Sequence, residues 1–369
     1  MSRTARIAGA GIAGLALATA LGSRGWRVIV HERSAELREI GAGITLGPDG
    51  IDALSRLGAL EETVADARAV EYWSMHDERG RTVQSQRVRR PMFCCHRRSL
   101  HRALVNSARA AGAEIRTGSA VVGATGEALL IDAGGSEVTA ETADLIVGAD
   151  GVGSRVRRAL GNLGVGVQLT DLNVSGLRYV VERRNDEWLT TQPEWLRDTR
   201  RVGILPLGGS DIAVFLSCRR DDSRSRTDPL DHEWWARTFP EVGDVLERAP
   251  LQADWRDLVE VHCDRWSFGS TALVGDAGFA MASNLGQGAV SAIRAVLALA
   301  DDVAEAPDVP RALVGWERRV RPYVEYNQAW SRRYSRIATQ WPQPLYPLRS
   351  AAYWMLGRSA ALNHRFAGV

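Results

Sequence analysis

The sequence contains no lysine, since all 46 of its basic residues are arginine. A lysine Schiff base, a lysine general base and the lysine of a Walker-type phosphate loop are therefore excluded. Its four cysteines (Cys94, Cys95, Cys218 and Cys263) show no C-x-x-C spacing, so neither a zinc finger nor a disulfide framework is indicated. We expect these thiols to be reduced and partly buried.

Long apolar runs and a strong net charge are also absent. No run approaches the ~20 apolar residues that span a bilayer, and a strand pattern from Arg6 leaves no room for a signal peptide. A net charge of +2 gives no attraction to nucleic acid or acidic lipid. The seven histidines show no metal-ligand spacing. We expect a cytoplasmic protein, monomer or homodimer, with no metal, nucleic-acid or membrane partner.

The first feature that is present is a glycine-rich turn between a strand and a helix. An apolar run ends at Ala10, Ile12–Leu21 reads as a helix, and Trp26–Glu32 reads as a second strand. The turn has the spacing G-x-G-x-x-G, which permits a tight turn, close approach of a pyrophosphate and close helix packing. Phosphates then meet the helix N-terminus, and an acid ending the second strand accepts from a ribose hydroxyl. The predicted dinucleotide-site residues are Gly9, Gly11, Ile12, Ala13, Gly14, Glu32 and the adjacent Arg33.

Similar elements return later in the chain, on both sides of a different kind of segment. Asp144–Gly148 and Thr271–Asp276 read as buried parallel strands. Between them, the period-2 patterns of Val174–Val181, Arg201–Pro206 and Ile212–Ser217 favour an antiparallel sheet. Helices are predicted at Gly50–Leu60, Ser99–Ala111, Ala289–Val303, about Pro310–Thr339 and near Ser350–Leu362. The nucleotide-binding fold is thus predicted to be interrupted by an inserted sheet.

Two further motifs follow the later strands. One is Gly148-Ala149-Asp150-Gly151-Val152-Gly153-Ser154-Arg155-Val156-Arg157, and the other is Gly275-Asp276-Ala277 followed by Leu285-Gly286-Gln287-Gly288. Either motif alone is compatible with an ordinary turn. A carboxylate at a strand end can also accept from a cofactor polyol, and a helix N-terminus can face an electron-rich ring edge.

The order and spacing of the three motifs resemble the FAD-dependent aromatic-ring hydroxylases, such as p-hydroxybenzoate, salicylate and hydroxypyridine-carboxylate monooxygenases. The resemblance runs from Ile7 to about Ser335 and includes Arg38 and Gly41-Ala42-Gly43-Ile44. It implies an α/β fold in which an FAD-binding Rossmann-like domain of the glutathione-reductase type is interleaved with an antiparallel β-sheet substrate domain, followed by C-terminal helices. The implied divisions are 1–70, 97–165 and 264–340 for FAD, 71–96 and 166–263 for substrate, and 341–369 for the tail.

The resemblance also implies roles for single residues. Gly9, Gly11 and Gly14 would hold the FAD pyrophosphate and Glu32 the adenosine ribose, and Arg97 would reach the phosphate or ribityl region. Asp150 would bind both FAD and nicotinamide, Asp276 would bind the ribityl chain, and Gly275 beside it is a further cofactor residue. Contact with the pyrimidine edge of the ring is implied for Gly286, Gln287 and Gly288. Contact with the other side of the ring is implied for Gly41, Ala42 and Gly43. Two positions depart from the family: Phe279 replaces its usual histidine and Ser283 its usual proline.

The implied reaction uses NAD(P)H to reduce FAD, after which O2 forms a C4a-hydroperoxide that hydroxylates an electron-rich ring. The implied substrate is a small aromatic or N-heteroaromatic molecule, expected to be a hydroxylated carboxylate. Arg201 is the predicted bidentate partner of that carboxylate, with Arg178 and Tyr179 as further contacts. Trp73, Trp188, Trp195 and Trp255 either line a flat pocket or belong to the core. An epoxidase or dehydrogenase on the same scaffold, and an FAD-binding protein without hydroxylase activity, remain alternatives.

Overall fold

The computed structural model describes residues 2–37, 41–132, 138–185 and 187–356, so Arg38 lies outside the described residues. In chain order the strands are β1 (Thr4–Ala8), β2 (Arg27–His31), β3 (Gly43–Leu46), β4 (Arg68–Ala69), β5 (Tyr72–His76), β6 (Thr82–Arg87), β7 (Phe93–His96), β8 (Glu114–Arg116), β9 (Ala120–Ala124), β10 (Ala128–Asp132), β11 (Val138–Thr142), β12 (Leu145–Gly148), β13 (Val167–Glu182), β14 (Thr191–Arg197), β15 (Arg200–Pro206), β16 (Asp211–Arg219), β17 (Arg256–Cys263), β18 (Ser267–Phe268) and β19 (Thr271–Leu273). The helices are α1 (Ile12–Gly22), α2 (Pro48–Arg56), α3 (Leu60–Val64), α4 (Arg97–Ala110), α5 (Arg155–Asn162), α6 (His232–Thr238), α7 (Gly243–Leu246), α8 (Asp276–Phe279), α9 (Gln287–Val303), α10 (Val309–Thr339) and α11 (Tyr346–Leu356).

The first large sheet contains six described strands in the order β18-β19-β12-β1-β2-β8. Its neighbouring strands are parallel except for the pair β18 and β19. Helix α1 is apolar on all sides because it is buried between this sheet and helices α4 and α9. The predicted parallel sheet, with its strand–helix–strand unit at the start of the chain, is confirmed.

The second large sheet contains seven described strands in the order β17-β13-β16-β15-β14-β5-β6. It is antiparallel, as predicted, except that β14 and β5 run parallel. Strand β13 begins at Val167, before the predicted pattern, and passes a bulge between Asp171 and Ser175. One face of the sheet packs on α6 and α7 through a core that includes Trp235 and Phe239. The opposite face bounds a large cavity.

The C-terminal helices connect the two sheets. Helix α10 packs against α9, and α11 packs against β6. Arg349 fixes α11, because its buried guanidinium donates to Glu78 (2.6 and 3.0 Å) and to the carbonyls of Asp198 and Ala338 (2.7 and 2.9 Å). This helix starts four residues before the predicted Ser350, and the rest of the predicted helix lies outside the described residues.

Strands β9–β11 form a small three-stranded sheet, and β3, β7 and β4 form another. Strand β7 thus pairs with β3 and β4 and not with the seven-stranded sheet, and the proposed domain boundaries stay a prediction. Within the described part of the chain, no helix has the length and apolar character needed to cross a membrane.

Candidate functional site

A cavity of about 1170 Å³ lies between the two large sheets and helix α10. It is bounded by the turn after β1, strand β3, the turn before α9, and one face of the seven-stranded sheet. Ten of the predicted cofactor residues line it: Gly11, Ile12, Ala13, Gly43, Arg97, Gly275, Asp276, Gly286, Gln287 and Gly288. Gly9, Gly14, Glu32, Arg33 and Asp150 do not line it.

The glycine turn after β1 is closed toward the protein and open toward the cavity. A Cβ atom on Gly14 would lie 2.0 Å from the carbonyl oxygen of Gly9, so no side chain fits there. A Cβ atom on Gly11 would meet no atom of a described residue within 4 Å. Helix α1 has no side-chain N-cap, which leaves its first N–H groups free for a ligand. This turn therefore fits a pyrophosphate beside Gly11.

Glu32 and His101 form hydrogen bonds with the backbone of the glycine turn at Ala10. The Glu32 carboxylate accepts from the backbone N–H groups of Ala10 and Ser34, both at 2.9 Å. The buried His101 ring lies 2.8 Å from the carbonyl oxygen of Ala10 through its Nε2 atom. Sequence reasoning missed His101, because a single histidine within a helix pattern carries no distinguishing signal.

In the second motif, Asp150 caps a helix. Its carboxylate accepts from the Ser154 hydroxyl (2.5 Å) and from the backbone N–H groups of Arg155 (2.7 Å) and Val156 (3.3 Å). Arg157, also missed as a functional residue, is 4% exposed and donates to the carbonyls of Ala277 (2.8 Å) and Val152. Arg157 thereby connects the second motif to the third. Its spacing from Asp150 within the motif is the sequence feature that could have identified it.

In the third motif, Asp276 faces the cavity without a hydrogen-bond donor from any described residue. Burial raises the pKa of this carboxyl group, and the positive charge of Arg97 opposes that rise. The Asp276 side chain is exposed to the cavity, so its carboxylate can accept from the hydroxyl groups of a bound polyol. At the start of α9, Gly286 has a left-handed φ of 65° and provides no side-chain cap, so the helix N–H groups also face the cavity.

Arg178 and Tyr179 are neighbours on β13 and lie on opposite faces of the sheet. Arg178 extends into the cavity, where it donates to the Ser283 hydroxyl and has no carboxylate partner among the described residues. Burial, with the charges of Arg97 and Arg201, lowers the pKa of Arg178 to about 10. Tyr179 is packed into the core on the other face. The prediction that Tyr179 contacts substrate is therefore wrong, because successive side chains on a strand alternate.

Arg201 lines the cavity, but its guanidinium already has a partner. Its Nε and Nη2 atoms donate to the two carboxylate oxygens of Glu194, and Nη2 also donates to the Asn284 carbonyl at 3.1 Å. Tyr334 donates its hydroxyl proton to the same carboxylate. This geometry corrects the prediction that Arg201 pairs bidentately with a substrate carboxylate. Glu194 lies on the neighbouring strand, and no local sequence pattern predicts that it pairs with Arg201.

The remaining predictions divide between the cavity and the core. Trp73 lines the cavity, whereas Trp188, Trp195 and Trp255 pack on the opposite face of the sheet. Phe279 is 2% exposed and packs against Trp266, with ring centroids 4.6 Å apart. The departure at Phe279 therefore does not reach the cavity wall, while the departure at Ser283 does.

Comparison with known proteins finds a matching family profile, similar enzymes and similar solved structures. The sequence profile of the FAD binding domain family matches residues 2–308. The chain is 34% identical to a putative 2-heptyl-3-hydroxy-4(1H)-quinolone synthase of Rhodococcus erythropolis, covering 89% of this chain and 86% of that protein. It is 33% identical to a 2-heptyl-3-hydroxy-4(1H)-quinolone synthase of Mycobacteroides abscessus, covering 96% and 95%. A solved structure of 2-methyl-3-hydroxypyridine-5-carboxylic acid oxygenase, described as its tetrameric form, superposes with a TM-score of 0.85 at 32% identity, covering 98% and 95%.

Proposed function

We propose that this chain, which belongs to the FAD-dependent aromatic-ring hydroxylase family, hydroxylates an N-heteroaromatic ring of the quinolone or hydroxypyridine kind. As a family member it is a monooxygenase that uses FAD, with NAD(P)H and O2 as cosubstrates. The named substrates and products of its relatives support a nitrogen-containing ring that bears an oxygen substituent.

The proposed cofactor residues follow from the shape of the cavity wall. The turn at Gly11 would take the pyrophosphate, Asp276 would accept from the ribityl hydroxyls, and the N–H groups at Gly286–Gly288 would face the flavin ring edge. Glu32 would accept from the adenosine ribose through the lone pairs that its two backbone donors leave free. When bound, FAD supplies the redox chemistry, accepting electrons from reduced nicotinamide and activating O2.

The single observation that carries the substrate proposal is the position of Arg178. Its guanidinium extends into the cavity, has no carboxylate partner among the described residues, and donates to the hydroxyl of Ser283 in the turn that is assigned to the flavin edge. A guanidinium in this place would bind the oxygen substituent of the ring and stabilise its deprotonated form. Proton loss at that oxygen enriches the ring in electrons, as hydroxylation requires. The sheet and α10 would exclude water around it.

The test is to load the protein with FAD and follow NADH and NADPH oxidation against 2-alkyl-4(1H)-quinolones, hydroxypyridine carboxylates and hydroxybenzoates. We expect an N-heteroaromatic compound to stimulate oxidation and to yield a product that gains one oxygen atom from isotopically labelled O2. Labelled product from the hydroxybenzoates alone would contradict the substrate proposal. Epoxidised or dehydrogenated products, or oxidation that no compound stimulates, would favour the alternative functions.

Arg178→Gln tests the proposed role of the arginine, with Tyr179→Phe as its matched control. The first change removes the charge that faces the cavity, so we expect kcat/KM for the ring substrate to fall by about tenfold to a hundredfold while FAD remains bound. The second change affects the adjacent residue on the opposite face and should leave kcat/KM unaltered. Equal losses in both variants would contradict a direct contact by Arg178.

A further inference from the structure

Three exposed arginines lie close together in the chain where β6 ends, and one of them lines the cavity. Arg87, Arg89 and Arg90, here called the arginine cluster, are exposed, and Arg90 lines the cavity. None of the three has a carboxylate of any described residue within 4.0 Å. Other arginines near this sheet edge do have partners, since Arg81 binds Asp77 and Arg349 binds Glu78. The cluster is therefore a local excess of positive charge.

Protection of the sheet edge explains only one member of the cluster. Strand β6 ends the seven-stranded sheet, and charged residues on such strands prevent pairing with other chains. Arg87 is the last residue of β6 and can have that role. The last backbone bond of this ladder is donated by the Val88 N–H to the Glu71 carbonyl at 2.7 Å. Arg89 and Arg90 follow it, so they have no unpaired strand to protect.

The reaction requires a second dinucleotide for which the chain offers no second glycine turn. NAD(P)H must bring its nicotinamide ring to the flavin, yet the sequence has one strand-associated G-x-G-x-x-G turn, at Gly9–Gly14, and FAD is assigned to it. The pyrophosphate of the reductant must therefore be neutralised by side chains. Guanidinium groups suit this role, because each can donate two parallel N–H bonds to phosphate oxygens without a glycine turn.

We propose that the arginine cluster binds the pyrophosphate of NAD(P)H, with Arg89 and Arg90 as its main ligands. Arg90 belongs to the wall of the same cavity as Asp276 and Gly286, so a dinucleotide anchored there can insert its nicotinamide toward the flavin. The phosphates remain at the exposed arginines, where they stay solvated. This site depends on the use of reduced nicotinamide and not on the identity of the ring substrate.

The experiment compares two hydride donors in the FAD-loaded protein under anaerobic conditions. NADH carries the pyrophosphate, whereas 1-benzyl-1,4-dihydronicotinamide has the same reactive ring and no phosphate. Flavin bleaching in a stopped-flow instrument gives the dissociation constant and the limiting reduction rate for each donor. For the double variant Arg89→Ala/Arg90→Ala we expect the dissociation constant of NADH to rise by about tenfold, with little change for the phosphate-free donor.

Arg109→Ala is the matched control. Arg109 is exposed and has no side-chain partner within the part of the chain that the structure describes, and it lies on α4, outside the cavity lining. It should leave the affinity for both donors unchanged. The salt dependence of NADH binding should also be shallower in the double variant, since fewer charges meet the phosphates. An unchanged dissociation constant for NADH, or equal weakening of both donors, would overturn the proposal. Neither result would bear on which ring is hydroxylated.

Discussion

Glu194 holds the guanidinium of Arg201 through both of its carboxylate oxygens, and the pair is 4% and 3% exposed. Arg201 also donates to the Asn284 carbonyl, and Tyr334 donates to Glu194. These bonds join β14 and β15 to the turn before α9 and to helix α10. The pair therefore connects the sheet that faces the substrate side of the cavity with the turn assigned to the flavin.

Removing one partner of this buried pair should destabilise the protein strongly. In Glu194→Gln the Arg201 charge stays buried without its counter-charge, and the expected loss is about 3–5 kcal/mol of unfolding free energy. Urea unfolding followed by tryptophan fluorescence measures it. The control is Glu233→Gln, because Glu233 pairs with Arg237 at the surface, with 81% and 66% of their side chains exposed. That change should cost about 0.5 kcal/mol or less. Equal effects of the two changes would show that Arg201 finds other compensation.

Gly11→Ala should weaken FAD binding without disturbing the fold. Its added methyl group meets none of the described protein atoms within 4 Å, and Gly11 has an ordinary extended backbone (φ −78°, ψ −176°). The methyl group would instead occupy the space assigned to the pyrophosphate, so we expect FAD affinity to fall by about tenfold or more. Titration of the flavin-free protein with FAD measures this change.

Gly315→Ala is the control for Gly11→Ala, because its Cβ atom also meets open space, on the exposed side of α10. It should leave FAD affinity unaltered and stabilise the helix by about 1 kcal/mol. If Gly11→Ala binds FAD as tightly as the unaltered protein, the pyrophosphate does not lie beside Gly11.

Protonation of His31 should destabilise the protein at mildly acidic pH. Burial and the nearby charge of Arg6 lower its pKa to about 4, although Glu141 opposes the shift. Because the unfolded chain takes up this proton near pH 6.5, the stability is complete above that pH and is lost as the pH falls through about 4. The loss is at most about 3 kcal/mol. Urea midpoints at pH 7.5 and pH 5 should therefore differ more in the unaltered protein than in His31→Gln, and equal differences would contradict the prediction.

Tyr179→Phe should be neutral or stabilising, although the residue is 6% exposed. Its hydroxyl group is buried with no hydrogen-bond partner among the described residues. Its removal eliminates the free-energy cost of burying an unpaired hydroxyl group and should raise the unfolding free energy by about 1 kcal/mol. Thermal unfolding of the two proteins side by side measures the change. A large loss of stability would show that the hydroxyl has a partner, such as a bound water molecule.

The sequence by itself determined the fold class and the family. Short-range features were enough, because the G-x-G-x-x-G turn between β1 and α1, the period-2 strands and the two later glycine motifs each depend on residues close together in the chain. Gly11, Asp276 and Gly286 were predicted as cofactor residues from those motifs and the family resemblance. All three line the cavity, and their cofactor roles stay predictions. Arg178 was also identified, but only together with Tyr179, since a strand pattern does not say which face meets the cavity.

Only the tertiary structure decided which side chains are available to a ligand. Arg201 looked like the better substrate contact until Glu194, from the neighbouring strand, was seen to occupy its donors. Asp150 likewise is engaged by the start of α5, and Phe279 by Trp266. A side chain whose charge or donors are paired with a neighbour within about 3 Å is no longer available to a ligand. Those neighbours come from distant parts of the chain, so folding, and not local spacing, leaves Arg178 facing the cavity without a counter-charge from the described residues.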